Sequence, residues 1–127
     1  MAGERILIVD DSPINLKLVK ILLLKEGYQV QTSPDAEEGL KSIQVSKPHL
    51  ILMDIQLPGM DGLEMTRRLK ASPETADIKV VALTAYAMKG DEEKARAAGC
   101  DGYITKPIDT QAFPGLIKEQ LQTGSEK

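Results

Sequence analysis

The chain has 127 residues, enough for one domain that buries about two-thirds of its unfolded surface and too few for two ordinary domains. An apolar share of 42% and a charged share of 28% are typical of a globular protein and exclude a disordered one. A net charge of -3 gives no broad basic surface, so we expect no direct binding to nucleic acid. The N-terminal apolar run is too short for a signal peptide, and none approaches the ~20 residues of a membrane span. We therefore expect a cytoplasmic protein with no membrane contact.

Five short apolar runs alternate with segments of helical periodicity along the chain. This alternation predicts a parallel sheet with helices on both faces. Because crossovers between parallel strands are right-handed, it favours a flavodoxin-like α/β fold, a doubly wound five-stranded sheet with strand order 2-1-3-4-5. The predicted strands are residues 6–9, 28–32, 50–53, 80–84 and 102–105.

The first predicted helix, residues 13–25, has the clearest boundaries. Ser12 is a suitable N-cap, Pro13 fits the first helical position, and Gly27 follows the end. Apolar residues recur in it at helical spacing, which predicts a face that packs on the sheet. The residues assigned to this buried face are Ile14, Leu18, Ile21 and Leu22.

Four further helices are predicted at about residues 35–45, 61–70, 89–98 and 109–121. The fourth helix of the chain is rich in alanine and charge, so we expect it to pack loosely. Pro114 conflicts with the interior of the last helix, which predicts a kink or a start one turn later. We expect one domain over residues 1–122 and a polar tail at residues 123–127.

Three aspartates follow two of the predicted strands, Asp10 and Asp11 after the first and Asp54 after the third. Parallel strands finish at the same edge of a sheet, and these two strands are neighbours where the strand order reverses. Three carboxylates close together repel one another unless a cation or a lysine neutralises them. Lys106, which follows the fifth strand, can supply such a charge. The sequence therefore predicts a cation-dependent site for phosphoryl chemistry.

Four motifs occur in a characteristic order: the pair Asp10-Asp11, residues 54–62 (DIQLPGMDG), residues 83–85 (LTA) and residues 103–107 (YITKP). Together they resemble the receiver domains of two-component response regulators, over residues 6 to about 121. The run at residues 84–88 (TAYAM) is similar to that of single-domain cell-division regulators and of receivers attached to hybrid kinases.

The resemblance implies that Asp54 is the phosphoacceptor, and that the phosphoryl group comes from a phosphohistidine of a histidine kinase or a histidine phosphotransfer protein. It also implies a Mg²⁺ cofactor, an ion that prefers hard oxygen ligands in octahedral array. Asp11, Asp54 and the backbone carbonyl of Gln56 would be direct metal ligands. Asp10 would act mostly through bound water.

The resemblance further implies how the phosphoryl group is held and how its presence is transmitted. Lys106, the Thr84 hydroxyl and the Ala85 backbone N–H would contact phosphoryl oxygens. Thr84 and Tyr103 would form the switch, and the face made by the fourth helix, fifth strand and fifth helix would change its affinity for a downstream protein effector. We expect a monomer or a weak dimer.

Two alternative functions follow from the same residues. Haloacid-dehalogenase-type phosphatases also use a strand-end aspartate with magnesium, but they place a second acid two residues later, where this chain has Gln56. We therefore expect a protein that is not an enzyme acting on external substrates. A phosphate-independent interaction module with this fold is the other alternative, although such modules usually lack an acid or the lysine. The chain could also be a receiver domain excised from a hybrid histidine kinase.

Overall fold

The computed structural model describes residues 3–55, 62–84, 90–105 and 108–123, and within them five strands alternate with five helices. In chain order the elements are β1 (Arg5–Val9), α1 (Pro13–Lys25), β2 (Gln29–Ser33), α2 (Ala36–Val45), β3 (Leu50–Asp54), α3 (Gly62–Ala71), β4 (Lys79–Thr84), α4 (Asp91–Ala98), β5 (Gly102–Thr105) and α5 (Phe113–Thr123). Within this part of the chain, no helix is long and apolar enough to cross a bilayer.

All five strands are parallel and lie in the order β2-β1-β3-β4-β5. The predicted fold is thus confirmed. The register places Val9 opposite Met53 and Asp54 opposite Leu83. Since β1 and β3 are neighbours and Val9 lies opposite Met53, Asp10 and Asp54 are at the same edge of the sheet.

The core has two parts, one on each face of the sheet, because successive residues of a strand point to opposite faces. The first part joins strand residues such as Leu7 and Ile51 to buried side chains of α2, α3 and α4. The second joins residues such as Ile8 and Leu52 to buried side chains of α1 and α5. Strands buried on both faces are typical of parallel sheets.

The predicted buried face of α1 is wrong. Ile14 is 80% exposed, Ile21 54% and Leu18 37%, and the fully buried residues are Val19 and Leu23. Leu22 is partly buried against the core. The helix carries two overlapping apolar stripes, and periodicity alone does not tell which of them contacts the sheet. The stripe of Ile14, Leu18 and Ile21 is exposed, and we call it the α1 stripe.

The last helix begins at Phe113, one turn later than its apolar pattern suggests. A later start was one of the two outcomes predicted from the position of Pro114. In α5 this proline is the second residue, in the first turn, where a backbone N–H has no helical partner. Asp109 starts the preceding turn, and its carboxylate accepts hydrogen bonds from the N–H groups of Gln111 (3.0 Å) and Ala112 (3.2 Å).

A partly buried ion pair joins the far end of the sheet to the helices. Lys70 Nζ, near the end of α3, donates to Asp101 Oδ2 (2.9 Å) and to the Ile78 carbonyl oxygen (2.7 Å). The same Asp101 oxygen accepts from the Val80 N–H at 2.9 Å. These contacts fix the start of β5 beside β4, and with it the position of Tyr103 on β5.

Candidate functional site

The three aspartates converge at the carboxyl edge of the sheet. One carboxylate oxygen of each of Asp10, Asp11 and Asp54 can be chosen so that all three lie within 4.8 Å of one another. Asp10 has no exposed surface, Asp54 is 7% exposed, and Asp11 is exposed. Two buried acids and one exposed acid thus lie together at the end of two neighbouring strands.

The carboxylate of Asp10 is held by the start of α1. Its Oδ1 accepts from the Ser12 N–H at 2.9 Å, and its Oδ2 accepts from the Asn15 side-chain amide at 3.4 Å. The backbone N–H of Asp10 donates to the Ser33 carbonyl oxygen at 3.1 Å. Asn15 was not among the predicted site residues. Its position in the first turn of a helix that directly follows the acidic pair was the one sequence feature that could have indicated this contact.

Asp54 is the last residue of β3, and α3 begins against its backbone. A Cβ atom on Gly62 would lie 2.5 Å from the Asp54 carbonyl oxygen, closer than any side chain can approach. The Gly62 N–H donates to the Ile55 carbonyl oxygen at 3.0 Å. Glycine therefore allows the first turn of α3 to touch the strand end that carries Asp54.

Thr84 and Tyr103 lie on the face of the sheet that α4 covers. Thr84 ends β4 and is 2% exposed. Tyr103 is opposite Ala82 in the β4–β5 register and packs against the core on the α4 face. Because Ala82 and Thr84 are two residues apart, their side chains share that face. The predicted switch residues are therefore on one side of the sheet, one strand apart.

Some predicted site residues lie outside the described residues. The predicted starts of the third and fourth helices, Asp61 and Lys89, also lie there. The site residues are Gln56, Ala85 and Lys106. Their assignment rests on the motifs in the sequence.

The donor set suits a hard divalent cation. Carboxylate oxygens are the ligands that Mg²⁺ and Ca²⁺ prefer in proteins, and the accessible side of Asp11 leaves room for water, which Mg²⁺ retains. A cation would also relieve the repulsion among three carboxylates within 4.8 Å. The cluster could therefore hold a metal ion.

Comparison with known proteins identifies the family. Residues 6–118 match the response regulator receiver domain. Over 118 residues the chain is 45% identical to the polar-differentiation response regulator DivK of Brucella anthropi, and the match covers 93% of this chain and 96% of that protein. The chain belongs to the receiver domains of two-component response regulators, which are phosphorylation-activated signalling switches.

Solved structures agree with this assignment. A CheY-like response regulator receiver domain protein from Methanospirillum hungatei superposes with a TM-score of 0.90 at 34% identity, covering 98% of both chains. The receiver domain of a sensor histidine kinase from Pseudomonas aeruginosa superposes with a TM-score of 0.85 at 32% identity, covering 94% of this chain and 98% of that one. That structure has a magnesium ion coordinated in the active site cleft.

Proposed function

We propose that this receiver domain accepts a phosphoryl group on Asp54 from a phosphohistidine of a histidine kinase or a histidine phosphotransfer protein, with Mg²⁺ as cofactor. The observation that carries the proposal is the cluster of Asp10, Asp11 and Asp54 at the ends of two adjacent strands. Asp11, Asp54 and the Gln56 carbonyl would bind the ion, and Asp10 would bind its water. When bound, magnesium supplies positive charge that neutralises the phosphoryl oxygens.

The transfer itself needs little beyond position and charge. An Asp54 carboxylate oxygen attacks phosphorus in line, the O–P bond forms, and the P–N bond to the donor imidazole breaks. The electron pair of that bond stays on the imidazole nitrogen, which takes up a proton. The Thr84 hydroxyl, at the neighbouring strand end, would donate a hydrogen bond to a phosphoryl oxygen, and Lys106 and the Ala85 N–H would contact the others.

The α1 stripe supports docking of a helical phosphodonor protein. A contiguous patch of exposed large apolar side chains is typical of a protein–protein interaction site. Here Ile14 lies four residues beyond Asp10, so the stripe starts beside the acids and runs along α1. Lys17 and Lys20 lie next to it and are exposed. We expect the donor histidine to be on a helix with an apolar stripe and acidic neighbours, as in helix-in-groove recognition.

The output would be a change in the surface formed by α4, β5 and α5. Phosphorylation converts the Asp54 carboxylate, which carries one negative charge, into an acyl phosphate that carries about two, next to Thr84. If Thr84 moves toward the phosphoryl group, space opens on the α4 face for Tyr103 to turn inward. A cavity of about 290 Å³ between β5 and α5, lined partly by Tyr103, Phe113 and Leu116, lies on this surface and could receive an effector side chain. The phosphorylated state would thus be one of two pre-existing conformations that the effector selects.

The acceptor is tested by intact-mass measurement after incubation with acetyl phosphate and MgCl₂. The wild-type protein should gain one phosphoryl mass, and Asp54→Asn should gain none. Asp77→Asn makes the same chemical change at the opposite edge of the sheet, so it should be labelled like wild type. Labelling of Asp54→Asn, or labelling of wild type in excess chelator, would overturn the proposal.

The switch is tested separately with Tyr103→Ala. This variant should still be phosphorylated, but amide chemical shifts of residues 90–105 should respond less to beryllium fluoride than in wild type. Equal shift changes in both proteins would show that Tyr103 does not transmit the signal.

We propose that the protein acts in the cytoplasm as a monomer or weak dimer, and that it catalyses its own phosphorylation and dephosphorylation rather than turnover of an external substrate. Gln56 supports the last point, because a phosphatase of the rival class would need an acid there.

A further inference from the structure

Asn15 connects the first turn of α1 to the buried acid Asp10. Its side-chain amide donates to Asp10 Oδ2 at 3.4 Å, and its backbone N–H donates to Ser12 Oγ at 3.4 Å. The other Asp10 oxygen accepts from the Ser12 N–H at 2.9 Å. Both oxygens of this carboxylate are therefore held by the same helical turn.

The environment of Asp10 makes these contacts important. Its side chain has no exposed surface, so bulk water cannot replace a lost donor. It also stands within 4.8 Å of two other carboxylates, which favour its rotation away from them. A donor on the Oδ2 side opposes that rotation and stabilises the charge.

We propose that Asn15 is a positioning residue for the metal site, acting through Asp10. Its amide holds the Asp10 carboxylate in the orientation that faces Asp11 and Asp54, so that the site is formed before a cation arrives. This inference rests on the proposed function, because the acids it concerns are the proposed magnesium ligands. Partners that orient metal-site groups from outside commonly affect metal affinity by about 10- to 100-fold.

A competing explanation is that Asn15 serves only the start of α1. The variant Ser12→Ala separates the two roles. It removes the side-chain cap of α1, yet its backbone N–H can still donate to Asp10. It should therefore destabilise the fold while leaving the Asp10 carboxylate in place.

The test is calorimetric titration of the whole chain with MgCl₂, together with thermal melting in the absence of magnesium. Asn15→Leu keeps a side chain of similar size and removes the donor. We expect its magnesium dissociation constant to rise about tenfold or more. We expect Ser12→Ala to lower the melting temperature and to bind magnesium like wild type. Asn15→Ala is the second variant, and it should bind as weakly as Asn15→Leu.

Three results would overturn the inference or its premise. If both Asn15 variants bind magnesium as tightly as wild type, Asn15 does not position the site. If Ser12→Ala and Asn15→Leu weaken binding equally, the effect belongs to the start of α1. If wild type binds no magnesium, the proposed function fails as well. Acetyl phosphate labelling of wild type and of Asp54→Asn tests that function independently.

Discussion

Removing the charge of Asp11 should stabilise the protein in the absence of magnesium and weaken its response to the ion. Asp11→Asn keeps the shape of the side chain and removes one of three charges that lie within 4.8 Å of one another. At that separation two unit charges repel by about 3 kcal/mol at an effective dielectric constant of ~20 and by about 1 kcal/mol in water. Asp11 is exposed, so the lower figure applies to each of its two pairs. We expect a gain of about 1–2 kcal/mol, since part of the repulsion is screened by salt.

The assay is thermal unfolding of both proteins, with chelator and with saturating MgCl₂. For a chain of this size a gain of about 1–2 kcal/mol corresponds to a rise of roughly 3–8 °C in melting temperature. Magnesium should then raise the melting temperature of wild type more than that of Asp11→Asn. A ligand that binds the folded state stabilises it more when it binds more tightly, and wild type should bind the ion more tightly. Added NaCl should reduce the difference between the apo proteins. A lower melting temperature for apo Asp11→Asn would refute the reasoning and make this acid a structural cap.

Three other substitutions or measurements test separate features. Ile14→Ser should leave the melting temperature unchanged. It should slow phosphotransfer from a phosphohistidine protein but not phosphorylation by acetyl phosphate. The control Val45→Ser, at an 88% exposed position on α2, should slow neither reaction. Gly62→Ala should lower the free energy of unfolding by about 1–3 kcal/mol through its clash with Asp54. Gly115→Ala in α5 should raise the free energy of unfolding by up to about 1 kcal/mol, because alanine is the better helix former and nothing is packed within 4 Å of the added Cβ. Burial raises the pKa of the Cys100 thiol, so its modification by a thiol reagent at pH 7 should require unfolding. The buried, protonated thiol stabilises the folded state at pH values below the ordinary thiol pKa. Denaturant titrations should show this stabilisation lost as the pH rises through the raised pKa of Cys100. Rapid labelling of the native protein would contradict the burial of the thiol.

The fold followed from local signals. Ser12, Pro13 and Gly27 delimit α1 through capping and backbone geometry, which act within a few residues of the chain. The alternation of apolar runs and helices, with the handedness of crossovers, then leaves few topologies open. The convergence of Asp10 and Asp54 could be predicted for the same reason, since it depends on strand order and strand ends.

Features that depend on side chains meeting across elements could not be predicted. The buried side of α1 was assigned wrongly because Leu23 and Ile21 belong to stripes of equal apolar character, and contact with the sheet selects one of them. The ion pair of Lys70 with Asp101 joins residues 31 positions apart, with no local signal for either. The contact of Asn15 with Asp10 crosses from a strand end into a helix, so it follows neither the helical nor the strand period.

The close contact of Gly62 with Asp54 has a consequence for the direction of movement. On the α3 side of Asp54, helix backbone touches strand backbone, and no side chain separates them that could change rotamer. This contact leaves α3 little room to move closer to β3. Further along the same face of the sheet, α4 begins at Asp91 after Gly90, which supplies no side-chain cap, and the buried side chains of α4 are small, as Ala95 and Ala98 show. A phosphoryl group on Asp54 occupies volume that the surrounding residues must vacate. The element that moves most easily is the one with the fewest tightly packed side chains. Phosphorylation should therefore displace α4 and leave α3 in place.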